Sequence, residues 1–231
     1  MSVSQAEAEA YRQAQVGVRA LVERDLSRFW SYVDLSDPER AARAVREYVP
    51  LLVRRYGSAA ADLAAEWYEV QRDLAGVAGR FVAEPVASPY TDAVDGMVRR
   101  AVGGLWTPDP SSTLTTLSAS AGKYVLAAGR ATIAHNVGRD PSAAGWQRVT
   151  RPGSCGFCTM LANRGAVYKR DSVHFAAHGH CNCAAVPSWD QSAPEVDVRI
   201  YEASRRTTGF TPEQREAHNA LIRRAVEQYG H

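Results

Sequence analysis

Residues 151–187 read RPGSCGFCTMLANRGAVYKRDSVHFAAHGHCNCAAVP, and this stretch contains all four cysteines of the 231-residue chain and three of its six histidines. It begins with a C-x2-C pair, which turns the chain so that both sulfurs enter one cavity. It ends with a C-x-C pair, whose members lie on the same side of an extended chain. A histidine stands three residues before that second pair. The stretch therefore offers five ligands to a tetrahedral ion that takes four: Cys155, Cys158, His178, Cys181 and Cys183.

Zinc is the ion that this ligand set fits best, because thiolate and imidazole ligands both suit it. We predict a structural Zn²⁺ site that closes the 29 residues from Cys155 to Cys183 into one small module. Structural zinc contributes on the order of 10 kcal/mol at neutral pH in small modules. His180 is an alternative to His178, so the sequence leaves open which four candidates bind.

Other uses of the cysteines stay open at this point. Two disulfides would account for the even number of cysteines, if the protein is oxidised after release from a cell. A thioredoxin-like redox pair needs a βαβ unit, which the helical pattern of this chain does not supply. A zinc deaminase needs a His-x-Glu motif, but no glutamate occurs between residues 151 and 194. A nucleophilic cysteine with a histidine base fits the composition, although it leaves three further thiols unexplained.

The composition is that of an ordinary globular protein, with 45% hydrophobic and 23% charged residues. A net charge of +2 is too balanced to predict nucleic-acid binding. No apolar run is long enough for a membrane helix, and the N-terminus lacks the pattern of a secretory signal. We therefore expect the protein to fold first in a reducing cytoplasm and to bind neither a membrane nor a small-molecule substrate.

Upstream of the cysteines, the apolar spacing predicts a bundle of helices. One helix spans the region of residues 11–33, and a second begins near Pro38 and ends at Gly57. A third begins at Ser58 and has the most regular apolar stripe, which we expect to face the core: Leu63, Trp67, Val70, Leu74, Val77 and Phe81. Further helices are predicted over residues 91–102 and 114–135, the latter with an inner face rich in alanine.

Short alternating runs at residues 145–151, 165–170 and 183–190 predict strands in the cysteine segment. Thr211, Pro212 and Gln214 then form the start of a C-terminal helix over residues 211–229. The expected fold is mainly α: an N-terminal helical bundle, then a small α+β module stabilised by zinc, then a C-terminal helix. We expect two domains, residues 1–106 and residues 112–231, with the zinc-binding segment at residues 151–187.

The cysteine segment resembles the phage Mu F-like (MuF-like) head morphogenesis proteins, also called minor capsid proteins, and in particular their short actinobacteriophage members. The residues that match the family pattern are Cys155, Cys158, Gly165, Tyr168, His178, Cys181, Cys183 and Pro187. This chain departs from it at Gly179 and His180, where the family usually has proline and asparagine, and at Asn182, where arginine is frequent.

The resemblance implies a non-enzymatic structural protein of the virion. Such proteins lie inside the head of a tailed phage near the portal, and act in head assembly, DNA packaging or genome ejection. The implied partners are the portal and the major capsid or scaffold proteins, with packaged DNA as a further candidate. The implied locations are the capsid interior and, during assembly, the host cytoplasm. An alternative is a capsid maturation protease acting on scaffold or capsid precursor, although the sequence contains no G-x-S-x-G motif.

Overall fold

The computed structural model describes residues 3–86, 90–151, 153–154, 156–163, 168, 175, 181–193 and 210–229. The elements in these ranges are, in chain order, α1 (Gln5–Trp30), α2 (Pro38–Leu74), α3 (Thr91–Ala101), α4 (Ser112–Arg139), β1 (Gly145–Val149), α5 (Gly156–Asn163), β2 (Ala184–Ser188) and α6 (Pro212–Tyr229). A 3-10 turn, Val102–Trp106, follows α3. The fold is mainly helical with one small sheet, as expected. No described helix combines the length and the apolar character needed to cross a bilayer.

The starts of the helices follow the capping residues. The Ser4 hydroxyl accepts a hydrogen bond from the Glu7 N–H at the start of α1, and the Glu7 carboxylate accepts one from the Ser4 N–H. At α2, the Asp37 side chain accepts a hydrogen bond from the Arg40 N–H, and Pro38 stands at the first helical position. At α6, the reciprocal bonds between Thr211 and Gln214 are both present, which confirms the predicted start of the C-terminal helix.

The long helix α2 runs without a break from Pro38 to Leu74, so the predicted end at Gly57 is wrong. Gly57 is buried within the helix, as are Val53 and Ala60 nearby. A glycine inside a helix costs about 1 kcal/mol relative to alanine, which tertiary packing of the buried face readily exceeds. The helix continues because this face stays buried on both sides of the glycine.

The predicted core stripe is only partly correct. Leu63, Trp67, Val77 and Phe81 pack, partly buried, against a cluster of buried residues, although Val77 and Phe81 lie beyond the end of α2. Val70 and Leu74 are 54% and 61% exposed, whereas Ala64 and Tyr68 are completely buried. Ala64 and the adjacent Ala65 pack in one cluster with Ile133 of α4. Small side chains let two helices approach closely, so the face that carries the alanines is more deeply buried than the neighbouring predicted stripe. The alanine-rich inner face predicted for α4 is confirmed, because Leu117, Ala121 and Ala128 are completely buried.

Two hydrophobic clusters form the core. The first joins α1, α2, α3 and α4 and contains residues such as Val22, Val45 and Val98. The second joins α1, α2 and α4 to both strands, through residues such as Tyr68 and Trp146. The sheet therefore packs against the helices. The division into residues 1–106 and 112–231 stays a prediction.

The sheet has two antiparallel strands, with Gly145 opposite Ser188 and Val149 opposite Ala184. Trp146 lies opposite Pro187 and exchanges both of its backbone hydrogen bonds with Tyr168 on its other side, at 3.0 and 2.9 Å. Pro187 therefore loses no hydrogen bond in this pairing, which explains how a proline is accommodated in β2. The predicted strands at β1 and β2 are confirmed. In the third predicted strand, residues 165–170, the described residue Tyr168 forms a bridge with Trp146.

Candidate metal centre

The centre is built from three cysteines on two segments that adjoin the same end of the sheet. Cys158 lies in the first turn of α5, which follows β1, and Cys181 and Cys183 lie just before β2. The sequence predicted a tight turn after Cys155, but the chain forms the eight-residue helix α5 there. Gly153, with φ of 74°, turns the backbone before that helix. The antiparallel pairing of β1 with β2 then carries the C-x-C pair to the end of β1 that leads towards α5.

Three of the five predicted ligands come together. The sulfur atoms of Cys158, Cys181 and Cys183 all lie within 4.8 Å of one another. Cys158 Sγ and Cys181 Sγ are 3.7 Å apart, well beyond the bond length of about 2.05 Å that a disulfide between them would have. All three side chains are buried. Cys155, His178 and the alternative His180 lie outside the described residues.

Arg130 of α4 holds the segment that carries the second pair. Its Nε donates to the carbonyl oxygen of Cys183 at 2.9 Å, and its Nη2 donates to the same oxygen at 2.7 Å. Nη2 also donates to the carbonyl oxygen of Cys181 at 2.9 Å and lies 3.9 Å from the sulfur of that residue. Arg130 is only 4% exposed. A buried cation therefore contacts both residues of the C-x-C pair.

An aromatic stack closes one side of the centre. Phe175 packs against the three cysteines, and its ring stacks on Trp146 with 5.5 Å between centroids. The guanidinium of Arg148 lies 3.7 Å from the centre of the Phe175 ring, and that of Arg130 lies 4.6 Å from it. These contacts are cation–π interactions, which strengthen when they are shielded from water.

Helix α1 contacts the residue between the two cysteines of the second pair. Arg19 donates to the Asn182 side-chain oxygen at 2.8 Å and pairs with Glu23 at 2.7 Å. Gly122 of α4 makes room for this arginine, since a Cβ there would lie 2.7 Å from Arg19 Nε. The centre is thus attached to α1 as well as to α4.

The surroundings favour a thiolate at Cys181. Hydrogen bonds from Cys158 and Cys183, and then the positive charge of Arg130, lower the pKa of the Cys181 thiol. The pKa of Cys158 is raised, first by its hydrogen bonds to the other two sulfurs and then by burial. A buried group of soft sulfur atoms that includes a stabilised thiolate is suited to hold a metal ion.

The sequence analysis did not identify the arginines around the centre. Arg130 lies four residues after Leu126 and three before Ile133, and all three are buried. An arginine inside an apolar helical stripe was therefore a usable signal that this side chain is buried and has polar partners. Arg19 and Arg148 carried no such signal, because only the tertiary structure brings α1 and β1 to the cysteines.

Comparison of the sequence with profiles of known protein families shows which family the chain belongs to. The family profile described as VG15 protein matches residues 2–228. The chain belongs to the VG15 family. This is a phage-associated viral protein family. The VG15 match covers the helices and the cysteine centre together, so neither is an addition from outside the family. No curated protein and no solved structure gives a significant match to the chain.

Proposed function

We propose that this VG15 protein is a minor capsid protein of a tailed phage, of the MuF-like head morphogenesis type. It acts inside the head near the portal, in head assembly, DNA packaging or genome ejection. The observation that carries the proposal is the buried group of Cys158, Cys181 and Cys183, with sulfurs within 4.8 Å of one another, in a chain of a phage-associated family. These cysteines are the core of the pattern that resembles MuF-like proteins.

The second part of the proposal is that the centre holds a structural Zn²⁺ ion. Zinc–thiolate bonds of about 2.3 Å in a tetrahedral arrangement place neighbouring ligand sulfurs about 3.8 Å apart. The separation of 3.7 Å between Cys158 Sγ and Cys181 Sγ fits this value. The donor set fits too, because three buried sulfurs are soft ligands. Cys155 or His178 is the proposed fourth ligand, with His180 as the alternative to His178.

The surroundings of the sulfurs support a structural role for the ion. A catalytic zinc site keeps an open position for water or substrate, whereas a structural site is closed by protein ligands. The three cysteines are at most 4% exposed, and Phe157 and Phe175 pack against them. The ion would hold α5 and the start of β2 together, so that the module presents one rigid surface. The proposed partners of that surface and of the helices are the portal and the major capsid or scaffold proteins.

Metal analysis of the purified protein tests the zinc site. We expect one zinc ion per chain, with loss of zinc in Cys181→Ser and retention in Ser192→Ala. Ser192 is exposed and follows β2, whereas the cysteine pair precedes that strand. Removal of the ion with a strong chelator lowers the melting temperature of the wild-type protein but not that of Cys181→Ser. Wild-type protein that is fully reduced and carries no metal would contradict the site.

Assembly of phage heads tests the function. In a phage whose own copy of the gene is deleted, the wild-type gene restores DNA-filled heads, and the protein is found in purified virions at low copy number. The Cys181→Ser gene restores fewer filled heads, as counted by electron microscopy. If purified wild-type protein instead cleaves the scaffold or the capsid precursor of that phage, the protein is a maturation protease and the structural proposal is wrong.

A further inference from the structure

We infer that Arg130 is a positioning residue of the metal centre: it sets the orientation of the Cys181–Cys183 pair and offsets the negative charge of the metal-bound thiolates. This inference rests on the proposed zinc site and adds a residue that belongs to neither the C-x2-C nor the C-x-C motif. It also makes α4, one of the three helices that contribute to both hydrophobic clusters, part of the centre.

The hydrogen bonds of Arg130 fix the backbone that carries two ligands. One planar guanidinium binds the carbonyl oxygens of Cys181 and Cys183, with three contacts between 2.7 and 2.9 Å. Fixing these two carbonyls limits the rotation of the Cys181–Asn182 and Cys183–Ala184 peptide units. In an extended segment, residues two apart then point their side chains to the same side. Arg130 therefore keeps the two sulfurs directed at one point.

The charge of Arg130 complements the charge of the centre. A divalent ion with three thiolates carries a net charge of −1, and a fourth thiolate makes it −2 by the same count. Arg130 Nη2 lies 3.9 Å from Cys181 Sγ in a buried position, where solvent screening is weak. An arginine side chain keeps its proton under all ordinary conditions, so this positive charge is permanent. It stabilises the thiolate-bound ion relative to the metal-free protonated thiols.

Lysine cannot replace both parts of this role. It supplies the positive charge, but its single ammonium group lacks the rigid fork that reaches two carbonyl oxygens at once. Methionine fills a similar volume and supplies neither the charge nor the hydrogen bonds. The two variants Arg130→Lys and Arg130→Met therefore separate the electrostatic part from the positioning part.

The test measures zinc affinity by competition with a chelating dye, in the full chain. Groups that support metal ligands typically change metal affinity by about 10- to 100-fold. We expect Arg130→Met to bind zinc about 10- to 100-fold more weakly than wild type by that rule, and Arg130→Lys to lie between them. The matched control is Arg139→Met on the same helix, since Arg139 pairs with Glu84 and is not in contact with the cysteines. It should bind zinc as wild type does.

Cobalt substitution provides a readout of the ligand set that is separate from the affinity. Thiolate-to-Co²⁺ absorption reports the number of sulfur ligands, so at saturating cobalt all variants should show the wild-type intensity. A weaker affinity with an unchanged ligand set identifies a positioning residue. Loss of absorption at saturation in the folded variants would overturn the inference, because Arg130 would then be needed for the ligand set itself.

The remaining outcomes also decide the inference. Equal zinc affinity in wild type and both Arg130 variants overturns it and leaves the zinc site standing. If circular dichroism shows that Arg130→Met is unfolded, Arg130→Lys decides alone: wild-type affinity in that variant overturns the inference. Wild-type protein that binds neither zinc nor cobalt overturns this inference and the proposed zinc site together.

Discussion

Arg72 Nε lies 3.0 Å from Asp140 Oδ2, and the side chains of both residues are buried. The same carboxylate accepts hydrogen bonds from Tyr68 at 3.2 Å and from the Trp189 ring nitrogen at 3.0 Å. Arg72 also donates to the carbonyl oxygens of Val77, Ala78 and Gly79. These contacts join the end of α2, the end of α4 and the residue after β2, so they attach the sheet to the helices.

Replacing Asp140 by asparagine should destabilise the protein strongly. Breaking a buried ion pair by removing one partner typically costs about 3–5 kcal/mol, because the other charge stays buried. We expect the Asp140→Asn variant to lose about 3 kcal/mol of unfolding free energy by this rule, measured by urea denaturation at neutral pH. The control is Asp62→Asn, an exposed position on α2 that should change stability by less than about 0.5 kcal/mol. Equal urea midpoints for Asp140→Asn and wild type would contradict the role of the pair.

The stabilisation by Asp140 should disappear in acid. Burial alone would raise the pKa of Asp140, but hydrogen bonds from Trp189, the Ser142 N–H and Arg72 outweigh it and lower that pKa. A carboxyl group whose pKa is lower in the folded state stabilises the protein above its unfolded pKa, which is about 3.9 for aspartate. The stabilisation is lost as the pH falls through the lower folded value.

The measurement for this prediction is the difference in melting temperature between wild type and Asp140→Asn from pH 7 to pH 3. We expect the difference to narrow as the pH falls below about 4. Comparing the two proteins at each pH removes the contribution of other carboxylates and of the thiols. A difference that stays constant down to pH 3 would show that Asp140 does not supply this dependence.

Gly129 should tolerate no side chain, although it lies inside a helix. A Cβ at this position would lie 2.7 Å from the Gln15 side-chain nitrogen and oxygen, and the nitrogen of that amide donates to the Ala60 carbonyl at 2.9 Å. Because Gln15 is buried, it cannot move aside without losing this bond. We expect Gly129→Ala to reduce the unfolding free energy by about 1–3 kcal/mol, as overpacked cores do.

Gly138→Ala on the same helix is the matched substitution, since nothing lies within 4 Å of its Cβ position. There, the higher helix propensity of alanine should increase stability by up to about 1 kcal/mol. Thermal denaturation of the two variants measures the contrast. A stabilising Gly129→Ala would mean that α1 and α4 do not approach as closely as the Gln15 contact indicates.

The three clustered thiols should resist alkylation in the native protein. Cys158, Cys181 and Cys183 are 3%, 3% and 4% exposed, so a reagent reaches them only after the centre opens. We expect slow labelling by iodoacetamide at these positions and much faster labelling once a strong chelator is added, as followed by peptide mass spectrometry. Urea-unfolded protein defines complete labelling. Rapid native labelling that a chelator does not change would contradict both the burial and the metal.

Local chemistry explains which features were predictable. The starts of α2 and α6 follow from Asp37 and Thr211, because a capping side chain acts on backbone groups a few residues away. The cysteine spacing led to the group that includes Cys158, Cys181 and Cys183, since paired ligands in short motifs are local as well. The predicted stripe was wrong at Val70 and Leu74, because periodicity identifies an amphipathic face but not the neighbouring element that the face meets.

The sequence by itself determined the helical character of the chain, the caps of α2 and α6, and the two short motifs that supply Cys158, Cys181 and Cys183 to the centre. These depend on interactions between residues close together along the chain. Only the tertiary structure decided that α2 passes through Gly57, that its alanine face is buried, and that Arg130 and Arg19 reach the C-x-C pair. The reason is that close packing selects among helix faces by shape. The partners of a buried charge come from distant elements that meet only in the folded protein.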